Sequence, residues 1–210
     1  MKRNLFTFAI IIATTFLLTH TALSMDRANY PYSIGLSISG KAGMNAASVP
    51  QGVQNTPHFL EGVDVAALGY IPFTDDSRIG LILEVGYSNT PFGLKLYETK
   101  EKSYINQKCI SISPLFLLEG FTIGFDIGVA QLDTWVDDNK MFGVNNMPED
   151  DFRMNLRLGG MIPLNTTKVG TLNLCINATY AIVGSEYNNG TYNPVTMAFG
   201  FNYIFNLEGK

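Results

Sequence analysis

From Phe121 to Leu132 the chain reads FTIGFDIGVAQL. Large apolar residues hold every odd position through Val129, and small or polar residues hold the even positions between them. A β-strand sends successive side chains to opposite faces, so this segment predicts a ribbon with one greasy face and one small, wet face. The same period recurs along the chain. Tyr32 to Lys41 sets Tyr32, Ile34, Leu36 and Ile38 against Ser33, Gly35, Ser37, Ser39 and Lys41. Phe59 to Phe73 places Val63, Val65, Ala67, Ile71 and Phe73 opposite Asp64, and Arg78 to Ser88 places Ile79, Leu81, Leu83, Val85 and Tyr87 opposite Glu84. Further ribbons are predicted over Tyr104–Leu118, Phe152–Leu164, Val169–Ile182 and Met197–Phe205, the last with Phe199, Phe201, Tyr203 and Phe205 on one face. No helical period of useful length follows the first two dozen residues.

Eight ribbons are joined by connections of alternating length. Ala42–His58, Asn89–Ser103, Asp133–Asp151 and Val183–Thr196 are long; Thr74–Ser77, Glu119–Gly120 and Asn165–Lys168 are short and carry turn chemistry. Tight turns at one end and long connections at the other predict an all-β, eight-stranded antiparallel up-and-down barrel. Two barrels fit such a pattern: a soluble lipocalin-like carrier with its greasy face inside, or a transmembrane barrel with that face in lipid. Three features favour the second. The small face is rich in Gly, Ser, Thr and Asn and poor in Lys and Glu, which suits a crowded interior better than a solvated exterior. Aromatic residues gather towards the strand ends: Tyr32, Phe73, Phe121 and Phe205 at one, and Phe59, Tyr87, Tyr104, Phe152 and Tyr180 at the other. Each apolar face is about 9–11 residues long, as a tilted strand needs to cross a bilayer.

Composition sharpens this. Only 15% of the 210 residues are charged, against about a quarter in an ordinary soluble domain. A net charge of −4 argues against nucleic acid as a partner. Met1-Lys2-Arg3, the apolar run Leu5–Leu18 and Ala22-Leu23-Ser24 predict a cleaved signal peptide over 1–24, leaving one domain over 25–210. Cys109 and Cys175 lie apart with no metal or redox spacing and are expected as two small buried or lumenal residues.

The wet face carries charges of both signs: Lys41, Asp64, Glu84, Asp126, Arg153 and Arg157. Ions in a narrow lumen must pair. If Gln131 faces Phe152, then Asp126 falls opposite Arg157, with Glu84 at similar depth and able to share an arginine. The expected result is an ion-paired plug rather than a conducting pathway, since eight strands enclose little more than their own side chains. Outside the lumen, Lys95, Lys100, Lys102 and Lys108 are candidate contacts for lipopolysaccharide phosphates. Phe92, Leu94, Leu96, Trp135, Met141, Phe142, Met147 and Tyr192 either form a partner patch or pack over the barrel mouth. Asp133, Asp137, Asp138, Glu149, Asp150 and Asp151 match no calcium loop and predict a solvated connection. His58, followed by Glu61, is the one histidine beyond the leader. It would be the base if the barrel were a lipid-modifying enzyme, with Ser88 or Ser103 approaching it in space; an ordinary loop histidine is the simpler expectation. No metal site, cofactor motif or nucleophile elbow is present.

The architecture, together with the closing strand Phe199-Gly200-Phe201-Asn202-Tyr203-Ile204-Phe205, resembles the small eight-stranded outer-membrane proteins of Gram-negative bacteria. These are the OmpA transmembrane domain and OmpX group, also described as the outer membrane protein beta-barrel domain or porin family. In such proteins an alternating aromatic last strand looks like the signal read by the outer-membrane insertion machinery; here Asn206 to Lys210 follow it. The resemblance implies a bacterial outer membrane, periplasmic termini, extracellular long loops, and outer-membrane lipid and lipopolysaccharide as surroundings. It implies a structural or surface-interaction role in adhesion or envelope integrity more readily than catalysis, though the group fixes no single activity.

Overall fold

The alternation predicts faces, and faces alone leave open how the ribbons join. In the computed structural model, residues 32–49, 51–59, 61–73, 79–98, 100, 102–131, 134–136, 152–187 and 190–206 are described. The predicted signal peptide lies outside them. The strands are β1 (Ser33–Asn45), β2 (Val53–Thr56), β3 (Val63–Pro72), β4 (Ile79–Leu96), β5 (Lys102–Leu118), β6 (Phe121–Gln131), β7 (Thr134–Val136), β8 (Arg153–Thr166), β9 (Gly170–Val183), β10 (Ser185–Tyr187), β11 (Gly190–Tyr192) and β12 (Pro194–Asn206).

Eight of them close a ring in the order β1, β3, β4, β5, β6, β8, β9, β12 and back to β1, every pairing antiparallel. Closure leaves no sheet edge along the wall. The register shows how the ring is staggered. Starting at Ser33, direct partners run through Tyr70, Ile82, Leu115, Gly124, Arg157, Thr179 and Thr196, and return to β1 at Gly43, ten residues from the start. Ten residues of stagger over eight strands tilt the strands by roughly 40° and leave a lumen that side chains fill. The short turn Glu119–Gly120 behaves as predicted: both residues take positive φ (51° and 94°), the two-residue loop that matches strand twist.

The greasy faces point outward. Ile34, Leu36, Ile38, Val65, Leu83, Val85, Phe116, Phe125, Phe199 and Phe201 are all exposed, while Ser33, Lys41, Glu84, Ser113, Thr122, Asn173, Asn177 and Asn202 are buried within. This orientation rules out the lipocalin-like alternative, which needs those apolar residues lining an interior cavity. Aromatic rings rim both ends. Phe73 packs on Phe116 and Tyr203 on Phe205 near the short turns, and Phe59, Phe152 and Tyr180 are exposed near the other end. Both cysteines are free and buried.

Two expectations need correction. The lumen is not polar throughout: towards the short turns it is filled by Leu68, Tyr70, Ile82, Leu115, Leu117, Met161, Cys175 and Ile204. These occupy inward positions among small polar neighbours, and the narrow interior gathers them into one layer. The stretch Asn89–Ser103 is also no loop. β4 and β5 stay paired from Ile79↔Leu118 to Lys95↔Lys102, so their hairpin stands well above the ring. β2 pairs with β4 there, and β7 pairs with β5, making a small sheet on top of the barrel. Its inner face buries Phe92, Leu94 and Ile105 against Tyr192, with Val49 and Val53 packed alongside.

Candidate functional site

Three layers of lumen follow from this packing: an apolar floor near the short turns, an ionic middle, and the apolar cap beneath the β4–β5 hairpin. The ionic middle is the first candidate site. Arg157 on β8 donates from Nη1 to Glu84 Oε2 on β4 at 2.6 Å and to Asp126 Oδ1 on β6 at 3.3 Å. All three side chains are nearly buried, at 14%, 9% and 13% exposure. Lys41 on β1 reaches Asp64 Oδ1 on β3 at 2.7 Å and donates to Ser88 Oγ at 2.9 Å and Thr90 Oγ1 at 3.4 Å. Arg153 is buried at an inward position opposite Gly128. Five of the six predicted lumenal charges therefore meet in two clusters, and the sixth lies inside as well.

The predicted register was two residues out. Asp126 faces Asn155, and Gly124 is the residue opposite Arg157. The ion pair survives because an arginine side chain spans the diagonal, and because the residue facing it has no side chain to stand in the way. Gly124 is constrained on its other side too: a Cβ there would strike the Pro114 carbonyl oxygen. The shared arginine was legible in the sequence; Ser88 and Thr90 as partners of Lys41 were not. The signal was there in principle, since both lie at even positions in step with Glu84.

Beside the ion pairs lies a small hollow of ≈ 30 Å³, touching Ser37, Asp64, Glu84, Ser113, Asp126 and Arg157. That holds roughly two waters. Arg157 Nε has no hydrogen-bond partner among the described residues and is available to such a water.

The second candidate is the outer face of the upper hairpin. Residues 57–59 and 61–62, between β2 and β3, are tied to β1 by the Gly43–His58 bridge and the Lys41 N–H to Gly62 carbonyl bond, and Glu61 lies against outward side chains of β4 and β5. Asn89 Nδ2 donates to the Glu61 carbonyl oxygen at 2.6 Å, and Asn106 Nδ2 donates to Glu61 Oε2 at 2.6 Å. Glu61 takes a positive φ of 69° at this turn. The His58 ring stacks on Tyr104 with centroids 4.0 Å apart. Burial, and to a lesser degree Lys102, lower the His58 pKa below its ordinary value, while Glu61 opposes them. Ser88 points into the lumen, where it accepts a hydrogen bond from Lys41, and Ser103 is fully buried. Both serines take inward strand positions, on the side opposite the face that carries the His58–Tyr104 stack.

Of the four predicted basic contacts, Lys95, Lys102 and Lys108 take outward positions on this face, with Lys95 directly opposite Lys102. Lys100 stands apart, in the turn at the tip, its ammonium 5.7 Å over the Tyr97 ring. Phe92, Leu94 and Tyr192 are buried in the cap, so for them packing over the mouth is the outcome. Met141, Phe142, Met147 and the acidic residues Asp133, Asp137, Asp138, Glu149, Asp150 and Asp151 lie outside the described residues. Among the described residues no cluster of His, Cys, Asp or Glu is arranged to hold a metal ion.

No family model matches the chain. No curated protein matches it either. Among solved structures it is similar to the outer membrane protein OprG from Pseudomonas aeruginosa, at 15% identity over 86% of this chain and 100% of that one, with a TM-score of 0.43. It is also similar to Ail, the attachment invasion locus protein of Yersinia pestis, solved with the heparin analogue sucrose octasulfate, at 14% identity over 83% and 97% of the two chains, with a TM-score of 0.37.

Proposed function

We propose that this protein is an outer-membrane β-barrel whose lumen is plugged and whose role is structural or surface-interactive rather than catalytic or conductive. One observation carries the proposal: the wall is apolar on the outside of a closed eight-stranded ring, and its guanidinium, ammonium and carboxylate groups are inside. A closed barrel satisfies every wall hydrogen bond internally, which is the condition for backbone in hydrocarbon, and bacterial outer membranes are where such barrels reside. The plugged lumen follows from the apolar floor and cap on either side of the ion pairs. The rigid upper sheet would then be the part offered to the outside.

The test combines fractionation with electrophysiology. The folded protein should sediment with outer membranes and shift its gel mobility on boiling in detergent. In planar bilayers it should give no steady open current. Release with the soluble periplasmic fraction would overturn the membrane assignment. Steady conductance that changes in Asp126→Ala would overturn the plug.

A further inference from the structure

Above the apolar wall, outward strand positions should meet solvent, yet two of them hold buried amides. Asn89 on β4 and Asn106 on β5 share the outward parity of Val85 and Ile110, but are only 2% and 1% exposed. They are diagonal neighbours on one face, since Asn89 pairs with Lys108 and Asn106 with Pro91. What covers them is surplus chain. Between Thr56, opposite Gly93, and Val63, opposite Asn89, run six residues where β4 has three. His58 bridges to Gly43, and the Gly62 carbonyl accepts from the Lys41 N–H, so the surplus falls between His58 and Gly62. Glu61 turns there with a positive φ of 69°. Extra residues in a strand re-aim its side chains, and here they set Glu61 over the two asparagines.

The amides are only half satisfied. Asn89 Nδ2 donates to the Glu61 carbonyl oxygen and Asn106 Nδ2 to Glu61 Oε2, both at 2.6 Å. Each leaves its Oδ1 buried with no hydrogen-bond partner among the described residues. Lys108, directly opposite Asn89, makes no hydrogen bond to that oxygen. A buried carbonyl oxygen without a donor carries its full desolvation penalty, which coordination to a cation relieves. Beside these two oxygens stands the Glu61 carboxylate, which offers about four lone-pair sites and so can accept from Asn106 and ligate as well. Glu61 itself is exposed, so the group opens to the outside. The oxygens are all hard ligands, and the one nearby imidazole, His58, is stacked on Tyr104. Irregular oxygen shells completed by water suit calcium, whereas magnesium demands near-ideal octahedral geometry.

We propose that Glu61, Asn89 and Asn106 form a calcium site on the outer surface of the β4–β5 hairpin. The two amide oxygens and the Glu61 carboxylate are the protein ligands, water completes the shell, and the hydrogen bonds from the asparagines to Glu61 orient the set. With a single carboxylate it is not a cluster of His, Cys, Asp and Glu. That one negative charge, with Lys102 and Lys108 on the same face, places the affinity in the roughly millimolar range of extracellular sites. The ion fastens the turn at Glu61 to β4 and β5 together, and through the Gly43–His58 bridge to β1.

The full-length mature protein, folded in uncharged detergent and stripped with a chelator, is titrated with calcium chloride, and amide hydrogen exchange of the peptide spanning residues 57–62 is read by mass spectrometry. Calcium should slow that exchange several-fold with a half-point near 1 mM, and sodium chloride at matched ionic strength should not. Asn106→Asp separates a ligand from a merely structural amide. Without calcium it sets a carboxylate against Glu61, and exchange should be faster than in the parent. With calcium the added charge should restore protection and lower the half-point roughly tenfold. Asn89→Ala with Asn106→Ala should abolish the calcium response, the unboiled gel band reporting that the barrel is still folded. Equal protection by sodium chloride overturns the proposal, as does the absence of any calcium response in the parent chain. So does an Asn106→Asp segment that stays unprotected in saturating calcium, or a calcium response that survives the double alanine change, which would put the ion elsewhere.

Discussion

Replacing Arg157 by Met is the sharpest test of the ionic lumen. The guanidinium nitrogen lies 2.6 Å from Glu84 and 3.3 Å from Asp126, and no other cation is within ion-pair distance of either carboxylate among the described residues. At an effective dielectric of about 20 the two attractions are worth roughly 6 and 5 kcal/mol gross, most of which is offset by the cost of taking three charges out of water. The net worth of the triad is therefore small, but the cost of breaking it is not. Arg157→Met leaves two carboxylates near each other in a narrow, nearly buried space, and stability should fall by about 3–5 kcal/mol. Glu84→Gln keeps an acceptor for Arg157 and leaves the Asp126 pair, so it should cost only about 1–3 kcal/mol. Removing all three charges together, as Glu84→Leu, Asp126→Leu and Arg157→Met, should return stability to within about 1–2 kcal/mol of the parent, since an apolar triad of similar volume needs no compensation. Urea unfolding in lipid vesicles, followed by intrinsic fluorescence and by the unboiled gel band, measures all three. The reasoning fails if Arg157→Met costs less than about 1 kcal/mol, or if the triple variant is as unstable as the single one.

Three more outcomes follow from other parts of the molecule. Because the folded environment lowers the His58 pKa, the neutral ring is the form the fold prefers; its contribution is full above the ordinary value near 6.5 and is lost as pH falls through the folded value. A Phe59→Trp reporter should therefore show the 57–62 segment loosening on acidification, and adding His58→Gln should flatten that profile. Pro114 interrupts the β5–β6 ladder between Ile112↔Ile127 and Leu115↔Gly124, because it has no N–H to offer. Pro114→Ala should add one wall hydrogen bond and stabilise by about 0.5–1.5 kcal/mol in the same urea assay, and a loss of stability would contradict the assignment. Leu94→Asp places an unpaired carboxylate in the cap, where Leu94 is fully buried. Protease should then cut the β4–β5 hairpin in intact vesicles while the boiled-versus-unboiled gel shift persists; an unchanged digestion pattern would show that the cap does not hold the hairpin.

The alternation of Ile34, Leu36 and Ile38 with Ser33, Ser37 and Lys41, repeated in every ribbon, determined the eight wall strands, the face of their residues and the side that turns outward. A side chain's face depends only on its parity, and parity is written in the chain. The presence of Lys41, Asp64, Glu84, Asp126, Arg153 and Arg157 in one lumen followed for the same reason. What parity does not contain is depth. A shift of two residues between β6 and β8 keeps every face correct and changes every partner, which is why Asp126 faces Asn155 rather than Arg157. Tertiary structure also decided where β4 and β5 stop. The alternation of Phe92, Leu94 and Leu96 continues past the apolar wall, but only Tyr192, Val49 and Val53, brought from distant parts of the chain, give that inner face something to bury against. With the hairpin held upright, Lys95 and Lys102 come face to face, a juxtaposition fixed by strand pairing that neither residue's own neighbours in sequence could specify.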